Sequence, residues 1–218
     1  MRAALNGRLR RIPVWAVWLG GLVPLALLVW DTFNGGLGID PIRDIEHRLG
    51  RTALYFLIAS LAVTPVLRIT GVSFIRFRRA LGLLCFTYAG LHVLSWAVMD
   101  MALLWGAMAR DVVKRPYLIF GMLALVMLVA LALTSNRLSI RRMGAGWRRL
   151  HRLIYPAAVL AAMHWLWALK VWESWPLLML GAILLLLSLR LLGKPSRRPA
   201  RDLAPPARPA GRSLGSGS

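Results

Sequence analysis

Long apolar stretches separated by short polar, basic or Gly/Pro-containing segments dominate the chain. Six runs stand out: Pro13–Trp30, Ala53–Leu67, Ala80–Val98, Tyr117–Leu133, Leu153–Leu169 and Trp175–Leu192. A helix needs about 20 mostly apolar residues to cross the hydrocarbon core of a bilayer. The second run is short of that and is expected to begin a few residues earlier. None of the six alternates polar and apolar residues as the strands of a membrane barrel would. A helix pairs its own backbone donors and acceptors, which lipid cannot do. The pattern therefore predicts an all-α fold, an integral membrane bundle of six transmembrane helices. It divides the chain into a cytoplasmic segment over 1–12, a membrane domain over 13–193 and a tail over 194–218. The tail, rich in Pro, Arg, Gly and Ser, is expected to be disordered. Basic residues followed by an apolar run also resemble a signal peptide, but no small-x-small site follows Trp30, so an uncleaved first span is expected.

Composition strengthens this picture. Of the 218 residues 58% are hydrophobic, and the mean hydropathy is +0.62. Soluble domains average about 45–50% apolar residues. The formal net charge of +20 would on a soluble domain point to nucleic acid. Here the charges lie in clusters between apolar runs, which excludes that reading and leaves membrane lipid as their neighbour. Orientation follows from the same clusters. The N-terminal segment, the 68–79 loop, the 134–152 segment and the tail from Arg190 hold 21 of the 28 Lys and Arg residues. The other side holds seven of the eight acids, together with Arg43, Arg48, Arg51, Arg110, Lys114, Arg115 and Lys170. Six spans with both termini in the cytoplasm keep the two sets apart; an error of one span would mix them.

Ionisable residues inside spans are costly and usually functional. Of the four histidines, His92 falls on the third run and His164 on the fifth. Each lies about 13 residues past a cytoplasmic marker, Arg79 or His151, which places both roughly 20 Å above that edge of the membrane. Cys85, Ala89 and His92 share one helical face, and Ala157, Ala161 and His164 repeat the spacing. Small residues below a histidine on two facing helices leave a slot that a flat macrocycle such as haem would fill, one imidazole on each side of the iron. Small residues also serve simple helix packing, and buried histidines also hydrogen-bond neighbouring helices. His151 opens the fifth run within Trp147-Arg148-Arg149-Leu150-His151-Arg152. It fits a headgroup contact, a ligand of a second haem, or a contact to flavin or quinone. On a straight helix it would point roughly 140° away from His164; Pro156 between them is expected to kink or unwind that helix. His47, in the first outer loop, reads as a surface residue. The arginines at 76–79 and 141–152 read mainly as topology signals, with a secondary capacity for haem propionates or a flavin phosphate.

The single cysteine, Cys85, excludes an intramolecular disulfide and a cysteine-held metal cluster. No G-x-G-x-x-G follows a strand, so no nicotinamide domain is expected. Gly35-Gly36-Leu37-Gly38 connects two spans. The spans offer no acid for a Ser-His-Asp arrangement. The spans also lack a midplane acid and an internal repeat, which counts against a transporter, although a non-redox scaffold or transporter remains the reading from a different class.

Several segments together resemble the ferric-reductase-like transmembrane domain: Arg78-Arg79-Ala80-Leu81-Gly82, Tyr88, His92, Arg115-Pro116-Tyr117 with Gly121, Leu133-Thr134-Ser135, Trp147, Leu150-His151-Arg152-Leu153 with Tyr155, and His164. Size and the lack of a fused flavin domain make the chain, over roughly 12–193, similar to the family of haem-binding membrane subunits of periplasmic methionine sulfoxide reductase systems. Met143-Gly144 stands where Leu-Gly is expected. The third span carries one histidine where eukaryotic members of the wider superfamily carry two. The resemblance implies one or two b-type haems and FMN in the bacterial inner membrane. It implies electrons drawn from the quinone pool or a cytoplasmic flavin reductase. It implies their delivery to a periplasmic molybdopterin enzyme that reduces methionine sulfoxide in damaged proteins, so that the chain is an oxidoreductase subunit with no substrate-reducing site of its own. Its haem ligands match His92, His151 and His164 here, and Arg78, Arg79, Arg148 and Arg152 fall among the matched cofactor-binding segments. A stand-alone reductase of ferric chelates or small acceptors is the alternative. The outer segment Met99–Arg115, long and outward-facing, is the candidate docking surface.

Overall fold

The computed structural model describes residues 2–169 and 174–192, and among these every regular element is helical. The tail over 194–218, expected to be disordered, lies outside the described residues, as do Lys170 and Glu173. A short basic helix α1 (Arg2–Arg11) precedes α2 (Val14–Phe33), α3 (Pro41–Thr70), α4 (Arg78–Ser95) with a π turn over Trp96–Asp100, and α5 (Trp105–Lys114). Then follow α6 (Pro116–Leu133), the short α7 (Arg137–Met143) and α8 (Ala145–Leu150), α9 (Ile154–Ala168) and α10 (Ser174–Leu192). By length and composition, five helical segments can cross a membrane, those built on α2, α3, α4, α6 and α10. The chain is a multi-pass helical membrane protein.

The fifth apolar run is the instructive exception. As α9 it has 15 residues, too few to span alone. It continues α8 through a 3₁₀ turn over His151–Leu153, so the helical run from Ala145 to Ala168 is about 36 Å long at 1.5 Å per residue. Pro156, expected to disturb this helix, sits in the first turn of α9, where its missing N–H costs least. The unwinding falls just before it, at His151. The second run also begins earlier than expected. Asp40 caps α3, its carboxylate accepting from the Arg43 N–H at 3.2 Å, and Pro41 follows at the first helical position. Hydropathy marks the part of a helix that lipid covers; the cap marks where the helix starts.

The helices pack as two antiparallel hairpins, α3 with α4 and α6 with α9, closed by α10 against α3 and α9, with α2 outside on α3 and α4. The apolar core lies among Leu54, Leu57, Leu61, Cys85, Leu128, Ala158, Ala162 and Ile183. Cys85 of the expected slot belongs to this core, with Ala89 and Ala161 packed at its edge, and Ala157 is fully buried. Asn6 of α1 donates to the Gly71 carbonyl and accepts from the Ser73 N–H, both at 3.0 Å. Arg68 donates to the Leu189 and Arg190 carbonyls. The N-terminal segment, the 68–79 loop and the end of α10 therefore share one end of the bundle, as the charge pattern requires. At the other end Arg48 bridges Asp31 and Asp44.

Two prolines within helices create backbone defects that side chains from other helices repair. Beside Pro24 in α2, the buried Tyr88 hydroxyl donates to the Gly21 carbonyl at 2.6 Å and accepts from the Leu25 N–H at 3.0 Å. That pair would bond each other in a regular helix; the hydroxyl has entered the ladder between them. Gly21 makes the approach possible, since a Cβ there would stand 2.4 Å from a Leu84 methyl. In α3, Pro65 cannot donate to the Leu61 carbonyl, and Arg190 Nε does so instead at 2.9 Å. Tyr88→Phe strands two backbone groups in a medium without water. We expect it to lower stability by about 1–3 kcal/mol, read as an earlier thermal transition by tryptophan fluorescence in detergent; an unchanged transition would show that the ladder re-forms without the hydroxyl.

Candidate cofactor site

His92 projects from α4 and His164 from α9, two helices that face each other across the bundle with α6 against both. Their rings come together, centroids 6.2 Å apart and planes at 68°. Each is held by the partner helix of its own hairpin. His92 Nδ1 lies 2.9 Å from the Glu46 carbonyl on α3, and His164 Nδ1 lies 2.8 Å from the Tyr117 carbonyl on α6. A carbonyl only accepts, so both Nδ1 atoms carry the proton and both Nε2 atoms keep their lone pair. This is the tautomer a metal-ligating imidazole needs, with its other nitrogen fixed by a carbonyl.

A glycine stands four residues after each of these carbonyls, one helical turn along. A Cβ on Gly50 would lie 3.3 Å from His92 Nδ1, and one on Gly121 would lie 2.8 Å from His164 Nδ1. The two half-sites thus repeat one device: a helix presents a carbonyl, and a glycine one turn later lets the imidazole reach it. Metal–imidazole bonds of about 2.0–2.1 Å, with Nε2 roughly 1.1 Å from its ring centre, would put two trans rings about 6.3 Å apart on one ion. The observed separation and the twist between the planes fit such a pair, and the donor set suits a haem iron. No cluster of three or more His, Cys, Asp or Glu side chains able to hold a metal occurs among the described residues, so a bare-ion site is not indicated.

His151 stands apart from this pair, in the 3₁₀ turn at the basic end of the bundle. It stacks on Trp147, centroids 3.9 Å apart, and its Nδ1 donates to the Trp147 carbonyl at 3.1 Å. Trp147 is itself fixed by a bond from its indole N–H to the Thr134 carbonyl at 2.9 Å. His151 Nε2 is buried and lacks a partner. With Nδ1 donating its proton to the Trp147 carbonyl, Nε2 keeps an unused lone pair. Arg78, within electrostatic reach of His151, is exposed, as are Arg79, Arg148 and Arg152. His47 is exposed on the outer part of α3.

Sequence reasoning placed His92 and His164 at one depth but passed over what holds them. Gly50 and the Glu46 and Tyr117 carbonyls carry no signal in a single sequence, and Gly121 entered only as part of a resemblance. Arg190 counted only as a topology charge, yet its side chain is buried.

Residues 49–162 match the family model described as "Ferric reductase like transmembrane component". That class describes a membrane bundle of this kind. Among curated proteins the chain is similar to the "Protein-methionine-sulfoxide reductase heme-binding subunit MsrQ" of Brucella anthropi, 42% identical over 92% of this chain and 90% of the relative. The proteins of that name from Brucella ovis and Brucella canis are 40% identical over 98% of both chains. The chain belongs to the MsrQ family.

The glycines allow a direct test of the half-sites. Gly121→Ala places a methyl group against His164 and is expected to remove most of the haem recovered with the purified protein, measured per chain as the pyridine haemochrome. Gly50→Ala, with its wider contact, should cost less. Equal, full haem recovery in both variants would contradict this account of the histidine anchoring.

Proposed function

We propose that the chain is a haem b electron-transfer subunit of the bacterial inner membrane. It passes electrons from its cytoplasmic side to a periplasmic molybdopterin-containing methionine sulfoxide reductase that repairs oxidised proteins. The observation that carries this reading is the His92–His164 pair, two imidazoles on facing helices locked in the metal-ligating tautomer and spaced for one iron. The names of the relatives, a heme-binding subunit of a protein-methionine-sulfoxide reductase, point the same way.

His92 and His164 would hold the haem, Glu46 and Tyr117 orient these two rings through their carbonyls, and the surrounding helices exclude water. When bound, haem b supplies a one-electron carrier in this outer half of the membrane. Held by two protein imidazoles, the group would favour electron transfer over binding of oxygen or substrate, which suits a site served by a separate catalytic subunit. His151, with its free buried Nε2, belongs to electron entry at the opposite end: it would contact a second haem, FMN or a quinone, fed by the quinone pool or a cytoplasmic flavin reductase. Six spans with both termini cytoplasmic fit the charge distribution, and the continuous helical run Ala145–Ala168 gives the fifth span its length. The outer segment Met99–Arg115, folded as the π turn and α5, is the surface assigned to the periplasmic partner.

Proteoliposomes holding the full chain test this reading, with an NADH-driven flavin reductase inside and the periplasmic catalytic subunit outside. Methionine sulfoxide reduction should depend on the chain and fall to background with His92→Ala or His164→Ala. Reduction at the wild-type rate by either variant would overturn the assignment. Equally fast reduction of a ferric chelate with no partner present would favour a stand-alone reductase instead.

A further inference from the structure

Among the described residues Arg190 is the one charged side chain that is buried, 8% exposed near the end of α10. It reaches back into the bundle, where Nε donates to the Leu61 carbonyl at 2.9 Å and an Nη atom donates to the Ser60 carbonyl at 3.1 Å. The first bond answers the defect left by Pro65. Its guanidinium stands 6.0 Å from the centre of the Tyr155 ring. These contacts use part of its hydrogen-bonding capacity and none of its charge. A buried charge in an apolar bundle requires an opposite one, and no ion pair to Arg190 exists among the described residues. The described acids, Asp31, Asp40, Asp44, Glu46, Asp100 and Asp111, belong to the opposite end of the fold. Instead the surroundings of Arg190 add positive charge, from Arg68 and Arg78. His151 stands one helical turn before Tyr155, and its Nε2 is buried without a partner.

The guanidinium, with no carboxylate partner among the described residues, and the unused lone pair of His151 thus lie along the same stretch of helix, His151 to Tyr155, at the basic end of the bundle. A neutral ligand would leave the charge unbalanced, whereas a carboxylate or phosphate would balance it and take the bidentate geometry that arginine offers. We propose that Arg190 is the anion anchor of a second cofactor seat in the cytoplasmic half of the bundle, holding the carboxylate or phosphate of a redox group that His151 contacts from the other side. This rests on the redox reading above. It assigns the anchoring role to Arg190 rather than to the exposed Arg79, Arg148 and Arg152.

The test compares anionic cofactors with uncharged analogues on the cofactor-depleted full-length protein. FMN is titrated against riboflavin, and haem b against its dimethyl ester, by flavin fluorescence and haem absorbance. One anionic member of the two pairs should bind at least about tenfold more tightly than its neutral analogue; a preference for FMN identifies a phosphate, and a preference for free haem identifies a carboxylate. Arg190→Met should abolish that preference while leaving the neutral analogue's affinity unchanged, and Arg190→Lys should retain part of it. Equal affinities within both pairs in the wild-type protein would overturn the proposal without any variant. So would a preference that survives Arg190→Met, or a carboxylate partner within the chain, revealed if Asp202→Asn and Arg190→Met lower stability non-additively in a double-mutant cycle. A wild-type protein that binds neither haem nor flavin would instead overturn the redox reading itself.

Discussion

Lipid offers no hydrogen bonds, and this constraint organises the molecule. Several polar groups that the sequence places inside the bundle are answered by others from a different helix. The defect beside Pro24 is answered by Tyr88 and that at Pro65 by Arg190. The same requirement acts on the histidines. A buried imidazole N–H must find an acceptor, and His92 and His164 find theirs in backbone carbonyls of the neighbouring helices. Satisfying one nitrogen in this way decides the state of the other. The geometry that stabilises the fold therefore also prepares two metal-ligating lone pairs, and structure and chemistry cannot be separated at this site.

The arrangement is nearly a repeat. Each hairpin supplies one histidine from its second helix and one carbonyl from its first, and a glycine one turn beyond the carbonyl sets the distance. Anchoring each ring within its own hairpin leaves the join between the hairpins as the place where the rings meet. A planar ligand there would be gripped by two preassembled halves, with little ordering of side chains left to accomplish on binding. At the basic end the arrangement differs: the helix unwinds at His151, Trp147 rather than a neighbouring helix fixes the imidazole, and among the described residues no second histidine matches it.

Much of this was legible in the sequence because lipid imposes so coarse a rule. Runs of about 20 apolar residues marked five of the six expected spans, and the distribution of arginine the common end shared by α1, the 68–79 loop and the end of α10. Counting residues from those ends placed His92 and His164 at one depth. What remained hidden depends on contacts between segments far apart in the chain. That Asp40-Pro41 would extend α3 well before its apolar part was a capping signal outweighed by hydropathy. That Gly50 and Gly121 mark the approach of an imidazole, or that Arg190 turns inward to meet the carbonyl freed by Pro65, follows only once the helices are placed side by side. Ala89 and Ala161, read with the histidines as the lining of a slot, lie at the edge of the apolar core.

The central claim is that His92 and His164 bind the two faces of a single haem iron. Low-temperature electron paramagnetic resonance of the oxidised, detergent-purified protein tests it most directly. The account predicts a low-spin ferric signal of the type given by two imidazole ligands, converted to high spin when either histidine is replaced by alanine. A high-spin signal in the unaltered protein, or a low-spin signal that survives both replacements, would contradict it.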